Sequence, residues 1–538
     1  MNIDKFYKKI QATLGVVLTT CLLLFSCTDD FSHINDPNTP AEDEAQGDFF
    51  HIGVHFRSLQ NSVIMIAQNA YQFNENLTGQ PYARYLTITK DNWNTENFCV
   101  FNAPRNWLNS LFNDQMINVY SPWFKLKDIL ESEGKLEHYS WAWAELLRVA
   151  AVHRTTDMYG PIPYSAIKEN TGSMYVAYDT QEEVYKGLFE DLNKAIEILT
   201  LYLNAGGANE ASALKEYDMV YEGNFEKWVR FANSLKLRMA MRIAFVDEAN
   251  AKKYALEALN HPIGVMTSNE DNAWIKPSVN PLYIMYGPYA DTKACAEIMT
   301  YLTGYKDPRK EAYFSPVGNT NDYKALRMGI KIDSHKWAVD NFSNPRVLGT
   351  DPLLWMCASE IAFLKAEAKA YWDWEIPESA EELYRRGVEL SFEQWKVDGA
   401  NKYLEDDTST QANYNDDPNN GSAPVSTITI KWDESADKET KLERIITQKW
   451  IALYPLGNEA WSEHRRTGYP RFFLVPVIHN TDNTLKKRGA SRIPYGPDEM
   501  FNNLENYNDA VNNKGLGGRD EYGVRLWWDV KTPKAGWD

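Results

Sequence analysis

Apolar side chains recur every three or four positions through four separate stretches, and this period narrows the fold more than any other feature of the chain. In 141–158 the residues Trp143, Leu146, Leu147, Ala150, Ala151 and Met158 make one stripe. Val184, Leu188, Leu192, Ala195, Ile196 and Leu199 repeat it, as do Trp228, Phe231, Ala232, Leu235 and Met239. Cys357, Ile361, Leu364, Ala368 and Tyr371 form the fourth. A stripe at i, i+3/i+4 and i+7 buries one face of a helix. A chain carrying several of them packs helix on helix. Small residues such as Ala232, Ala362, Ala366 and Ala368 let neighbours approach closely. The expected fold is therefore all-α, built from tetratricopeptide-like helix pairs, although the strict consensus repeat is absent.

The first striped helix has a clear stop. Tyr159-Gly160-Pro161-Ile162-Pro163 supplies a permissive Gly and then prolines that cannot continue a helix. Three segments resist a regular reading and predict a large loop-rich half carrying short strands. Residues 72–125 are rich in Asn and aromatics, 262–350 in Pro, Gly, Tyr and Trp, and 403–432 begin acidic and Asn-rich. Within the last, Ser426-Thr-Ile-Thr-Ile430 alternates like a short strand. Long irregular segments on a rigid scaffold are where binding sites usually sit.

The amino terminus carries an address. Lys5, Lys8 and Lys9 precede a mostly apolar run, Leu14 to Phe25, too short for an ordinary membrane span. It ends in Leu24-Phe25-Ser26-Cys27, which resembles the lipobox of bacterial lipoproteins. The resemblance implies cleavage before Cys27 and acylation of that cysteine. Asp29 and Asp30 resemble the surface-export signal of Bacteroidetes lipoproteins. Residues 1–26 then form a signal peptide, 27–48 the lipidated cysteine and a polar tether, and 49–538 one domain. The lipid chains hold the body at the membrane while the body stays in water.

Charge limits the partners. Beyond residue 26 there are 53 basic and 73 acidic residues, a net −20. Such a surface repels nucleic acid and anionic headgroups, so membrane contact is expected through the lipid anchor only. Cys99, Cys295 and Cys357 are too few and too widely spaced for a disulfide framework or a metal cluster. His51 and His55 share a helix face, but Ile52 stands where a zinc hydrolase needs its Glu. Asp416-Asp417-Pro-Asn419-Asn420-Gly421 misses the EF-hand spacing. No nucleophile elbow, Walker loop or dinucleotide fingerprint occurs. No cofactor, metal or catalytic residue is expected.

Six further segments carry a family resemblance. They are Arg148 through Asp157-Met-Tyr159-Gly160-Pro161, Tyr178 through Ala195, and Tyr221 through Arg242 with Trp228, Asn233 and Arg238. Asp307-Pro308-Arg309, Ser359 through Ala368, and Ile446 through Pro470 with Glu459, Trp461, Arg465 and Arg466 complete the set. Together and in this order they resemble the SusD/RagB family of Bacteroidetes outer-membrane lipoproteins. The resemblance implies a non-enzymatic surface protein that captures glycans, or sometimes peptides, for a TonB-dependent SusC-like transporter. A surface glycoside hydrolase is the competing reading from another class. The motif residues themselves are expected to pack the scaffold, with Arg238 and Arg242 pairing with carboxylates and Arg465 and Arg466 just after a helix.

A glycan site needs exposed flat rings beside amide or charged groups. One segment offers Tyr82, Arg84, Tyr85, Asn92, Trp93, Asn94 and Trp107, and another Trp274, Tyr283, Tyr286, Tyr289, Tyr301 and Trp337. From these, Tyr85, Trp93, Asn94, Trp274, Tyr283 and Tyr286 are the expected ligand contacts. The two segments are expected to meet at one face.

Overall fold

Thr180 opens a helix by the local chemistry its sequence forecasts: its hydroxyl accepts from the Glu183 backbone N–H, and the Glu183 carboxylate reaches back. Ser379 and Glu382 repeat the device, and Asn224 and Asp437 cap two more helices with their side chains. The computed structural model describes residues 49–169, 172–207 and 214–532. The signal peptide, Cys27 and the tether lie outside them. The chain divides into units 1–53 and 54–538, and the helical scaffold and both sheets belong to the second.

The scaffold consists of α1 (Arg105–Ser132), α2 (Tyr139–Tyr159), α3 (Gln181–Asn204), α4 (Phe225–Ile243), α5 (Glu248–Leu259), α6 (Ala358–Ala370), α7 (Ala380–Trp395), α8 (Lys438–Leu453) and α9 (Gly457–Thr467). Sequential neighbours pack from α1 through α5; α6 joins α4, α7 and α8, and α9 closes back on α2 and α8. Among the described residues four short strands form two antiparallel pairs. β1 (Leu86–Ile88) pairs with β3 (Thr292–Ala294), and β2 (Ala273–Ile275) with β4 (Leu353–Met356). Among the described residues no helix is long and apolar enough to cross a membrane.

The predicted stripes face inward. Trp143 and Trp228 are fully buried, their rings 5.7 Å apart, and the Trp228 indole donates to Asp218 at 2.8 Å. The α2 helix stops at Gly160, whose φ of +84° suits a residue without Cβ. Three expectations fail for physical reasons. Residues 72–125 are not mainly irregular: Gln72–Gly79 is a π-helix, and α1 starts at Arg105. The α1 stripe includes the buried, polar Gln115, and Pro122 interrupts the pattern, so the sequence period is blurred. Ser426–Ile430 forms no strand; the Tyr305 and Tyr384 hydroxyls take up the Ile428 and Ile430 carbonyls that a ladder would use. Arg465 and Arg466 lie inside α9, not after it.

A buried ionic network pins five helices together. Arg242 of α4 meets Asp157 of α2 and both Glu459 and Glu463 of α9. Arg238 donates twice to Glu360 of α6 at 2.7 Å. Lys449 of α8 reaches Glu463 at 2.8 Å, and Arg466 takes Glu367 of α6 through two bonds of 2.6 Å. Burial alone would push the Glu459 carboxyl up, but Arg242 and Arg238 outweigh it and hold it at about 2.

The π-helix meets this scaffold at a close crossing. A Cβ on Gly457, at the start of α9, would come within 2.5 Å of the Gly79 carbonyl carbon. Only two glycines let the π-helix approach so closely, and the chain that continues from it carries β1 and Trp93.

Candidate functional site

The expected meeting of the two aromatic segments is made by backbone and amide bonds. β1 lies beside β3 with Leu86 opposite Ala294 and Ile88 opposite Thr292. Beyond the strand ends, the Thr89 N–H donates to the Asp291 carbonyl at 3.0 Å. Lys90 Nζ donates to the Tyr289 carbonyl at 2.8 Å and stands 3.4 Å from the Asp291 carboxylate, which also accepts from Gln72. Farther along, Asn94 clamps Ile332 from both sides: Nδ2 donates to its carbonyl at 2.9 Å, and Oδ1 accepts its N–H at 2.8 Å. A rigid seam results, with 72–107 on one side and 289–337 on the other.

On the first side stands a ring cluster. Trp93 meets Trp107 edge to face, centroids 5.2 Å apart at 82°. Trp107 also packs on Phe73 at 5.6 Å and on the buried Phe98 at 6.1 Å. Trp93, Trp107 and Phe73 are each half-buried, so the cluster is anchored yet open on one side. The exposed Asn92 and Asn106 flank the two tryptophans in sequence. Trp93 sits on a short 3-10 turn, Asp91–Trp93. Asn97 fixes that turn by donating to the Trp93 carbonyl and accepting the Val100 N–H at 3.1 Å. Such a surface offers flat apolar faces with amide groups beside them.

The expected contacts separate into three groups. Trp93 stands on the seam. Asn94 is there too, but its amide is spent on Ile332, so it holds the seam together and is not free to read a ligand in the way expected. Tyr85 belongs to the core: its ring is fully covered, stacks 5.5 Å from Trp450, and its hydroxyl donates to the Trp450 carbonyl. Burial raises that phenol well above its ordinary value. Tyr82 and Tyr301 are core rings as well, their hydroxyls on the Phe98 and Arg471 carbonyls at 3.1 and 3.0 Å. Arg84 is buried 3.5 Å from Glu297.

Trp274, Tyr283 and Tyr286 form the third group. Trp274 lines a cavity of about 310 Å³ between β2, β4 and the end of α7. Tyr286 is half-buried and donates to the Val347 carbonyl at 2.6 Å, and the exposed Tyr283 meets it edge to face at 5.7 Å. The sequence reading missed Phe73, Trp395 and Arg346. Phe73 lies in an amide-rich run without aromatic neighbours in sequence beyond Tyr71, and Trp395 ends an ordinary amphipathic helix. The three remaining cysteines are buried free thiols.

Comparison with known proteins matches residues 33–529 to the SusD-like family, described as Susd and RagB outer membrane lipoprotein. A search of curated proteins gives no match. Among solved structures, a SusD homologue from Bacteroides uniformis is 40% identical with a TM-score of 0.83, covering 90% of this chain and 100% of that one. A chitin-binding SusD homologue from Flavobacterium johnsoniae is 36% identical, TM-score 0.84, with the same coverage of both chains, 90% and 100%. A SusD-like protein from Bacteroides thetaiotaomicron is 32% identical, TM-score 0.82, again covering 90% and 100%.

Proposed function

The chain belongs to the SusD-like family of outer-membrane lipoproteins, and on that premise we propose that it captures oligo- or polysaccharide at the Trp93 seam and passes it to a SusC-like, TonB-dependent transporter. Lipid on Cys27 anchors it, and residues 28–48 give the body reach without release. Tethering beside a partner raises the effective concentration for repeated docking without any new contact.

The observation that carries the reading is the open ring cluster of Phe73, Trp93 and Trp107 on a clamped backbone. Sugar CH faces pack on indole, and hydroxyls bond amides such as those of Asn92 and Asn106. Because the seam is held by backbone bonds, little ordering is left for the moment of binding, which favours affinity. The chitin-binding homologue supports a glycan over a peptide. On this reading the protein binds and does not cleave; turnover would need a paired acid and base set across a bound glycosidic bond.

A calorimetric panel of neutral oligosaccharides, chitooligosaccharides included, and of peptides tests this, with product analysis by chromatography. Saturable glycan binding without product is expected. Peptide binding alone, or turnover lost on changing one carboxylate pair, would overturn it. Affinity purification from mildly solubilised outer membranes should bring down a transporter chain.

A further inference from the structure

The cavity beside Trp274 is built differently from the seam. At about 310 Å³ it falls at the small end of ordinary ligand pockets, roughly 300–1,000 Å³. Its walls include two indoles, Trp274 from β2 and Trp395 from the end of α7, over a floor formed by Leu282 and Leu354. Trp395 is wedged in place, 4.5 Å from Tyr313 and 6.0 Å from Tyr454. One part of the pocket is thus flat, apolar and rigid.

The other part is rich in donors. The amide of Gln394 has a fixed orientation: the Ala358 N–H donates to Asn272 Oδ1 at 2.8 Å, and Asn272 Nδ2 donates to Gln394 Oε1 at 3.0 Å. That leaves Gln394 Nε2 as the donor end, and it is buried with no protein acceptor. The Trp395 indole N–H is buried without an acceptor as well. Two cations join them on the lining, Arg346 and Lys396. Arg346 gives one N–H to the Glu311 carbonyl at 2.9 Å, which leaves the rest of its fork. The single acid of the lining, Asp351, is turned back on its own loop, accepting the Leu348 N–H at 2.8 Å. Donors and positive charge therefore exceed acceptors here, on a chain whose net charge is −18.

We propose that this cavity is a second saccharide site, selective for an acidic sugar: a uronic acid residue whose ring lies against Trp274 and Trp395 while its carboxylate is bonded by Arg346 and Lys396. The choice of a sugar rests on the glycan reading above; the choice of an acid rests on the cavity alone.

Calorimetric titration of the full chain with di- and trigalacturonate and with a glucuronate disaccharide, against neutral disaccharides, tests it. Uronate binding is expected, with neutral sugars at least tenfold weaker at this site. The exposed Arg346→Gln should weaken uronate binding by about tenfold or more and flatten its salt dependence. Trp274→Leu should weaken it too, with a melting curve taken to check the fold, and Trp93→Ala should leave it unchanged. No uronate binding, neutral sugars binding as tightly as uronates to the Trp93→Ala chain, or indifference of uronate binding to Arg346→Gln would overturn the proposal. If uronates bind through Arg346 while no neutral glycan binds through Trp93, the acidic site stands and the seam reading fails.

Discussion

Replacing Arg242 by Met should be among the most damaging single changes in the molecule, and the damage should depend on pH. Arg242 is 1% exposed and serves three carboxylates, Asp157, Glu459 and Glu463. Methionine fills similar space but leaves those acids facing one another in the interior. Breaking a buried pair in this way costs about 3–5 kcal/mol. Unfolding entropy near 2 cal/mol/K per residue makes about 1 kcal/mol/K over residues 54–538. The melting temperature should therefore fall by about 3–5 °C. The pH sign comes from Glu459. Its folded value, about 2, lies below the unfolded value near 4.3, so its pairing stabilises fully above about pH 4.5 and is lost as pH falls toward 2. Without the Arg242 guanidinium, Glu459 keeps only Arg238 and Lys449 against burial and rises, while Asp157, which burial already raises, rises further. The variant's deficit should then be largest near pH 7.5 and shrink by pH 5, as protonation relieves these under-paired acids. Calorimetric melts of both proteins at the two pH values measure this. A deficit under about 1 kcal/mol, or one that does not shrink, would refute the role given to the network.

Trp228→Ala should cost about 3–5 kcal/mol through a core cavity and the loss of its bond to Asp218, seen as a lower melting temperature with glycan affinity per folded molecule unchanged. Below about pH 6.5 the wild type should begin to lose stability, because buried His153 is pushed down to about 3 by burial and then by Arg238; its neutral form stabilises fully above the unfolded value, and His153→Gln should blunt that loss in melts between pH 7 and 5. Cys27→Ala should release the protein from the outer membrane on fractionation, and retention of that variant would sink the anchoring proposal.

The helices legible in the sequence are those whose apolar stripe is regular enough to stand out from the polar residues buried beside it. Stripes at Trp143–Met158, Val184–Leu199 and Trp228–Met239 become α2, α3 and α4 although Asp157, Arg238 and Arg242 are buried with them. The α1 helix hides because Gln115 is buried in its stripe, bonding Asn74 at 2.7 Å, a partner 41 residues away that no local window includes. The same limit divides the site. Tyr85 and Trp93 sit in similar surroundings in sequence, yet Tyr85 is covered by Trp450 and Tyr454, about 365 residues on. Aromatic richness marks candidate segments, and distant packing decides which rings stay open. Arg238 and Arg242 are legible as carboxylate partners because a charged residue on an apolar stripe has few other ways to be buried.

The most direct test of glycan capture at the seam is calorimetric titration of wild type and Trp93→Ala with the tightest neutral oligosaccharide of the panel, each with a melting curve. Trp93 is half-buried and edge-on to Trp107, so its removal should lower affinity by about 1–3 kcal/mol, roughly tenfold to a hundredfold, with little change in melting temperature. Unchanged affinity together with a sharply lower melting temperature would show Trp93 to be a packing residue and would contradict the placement of the site.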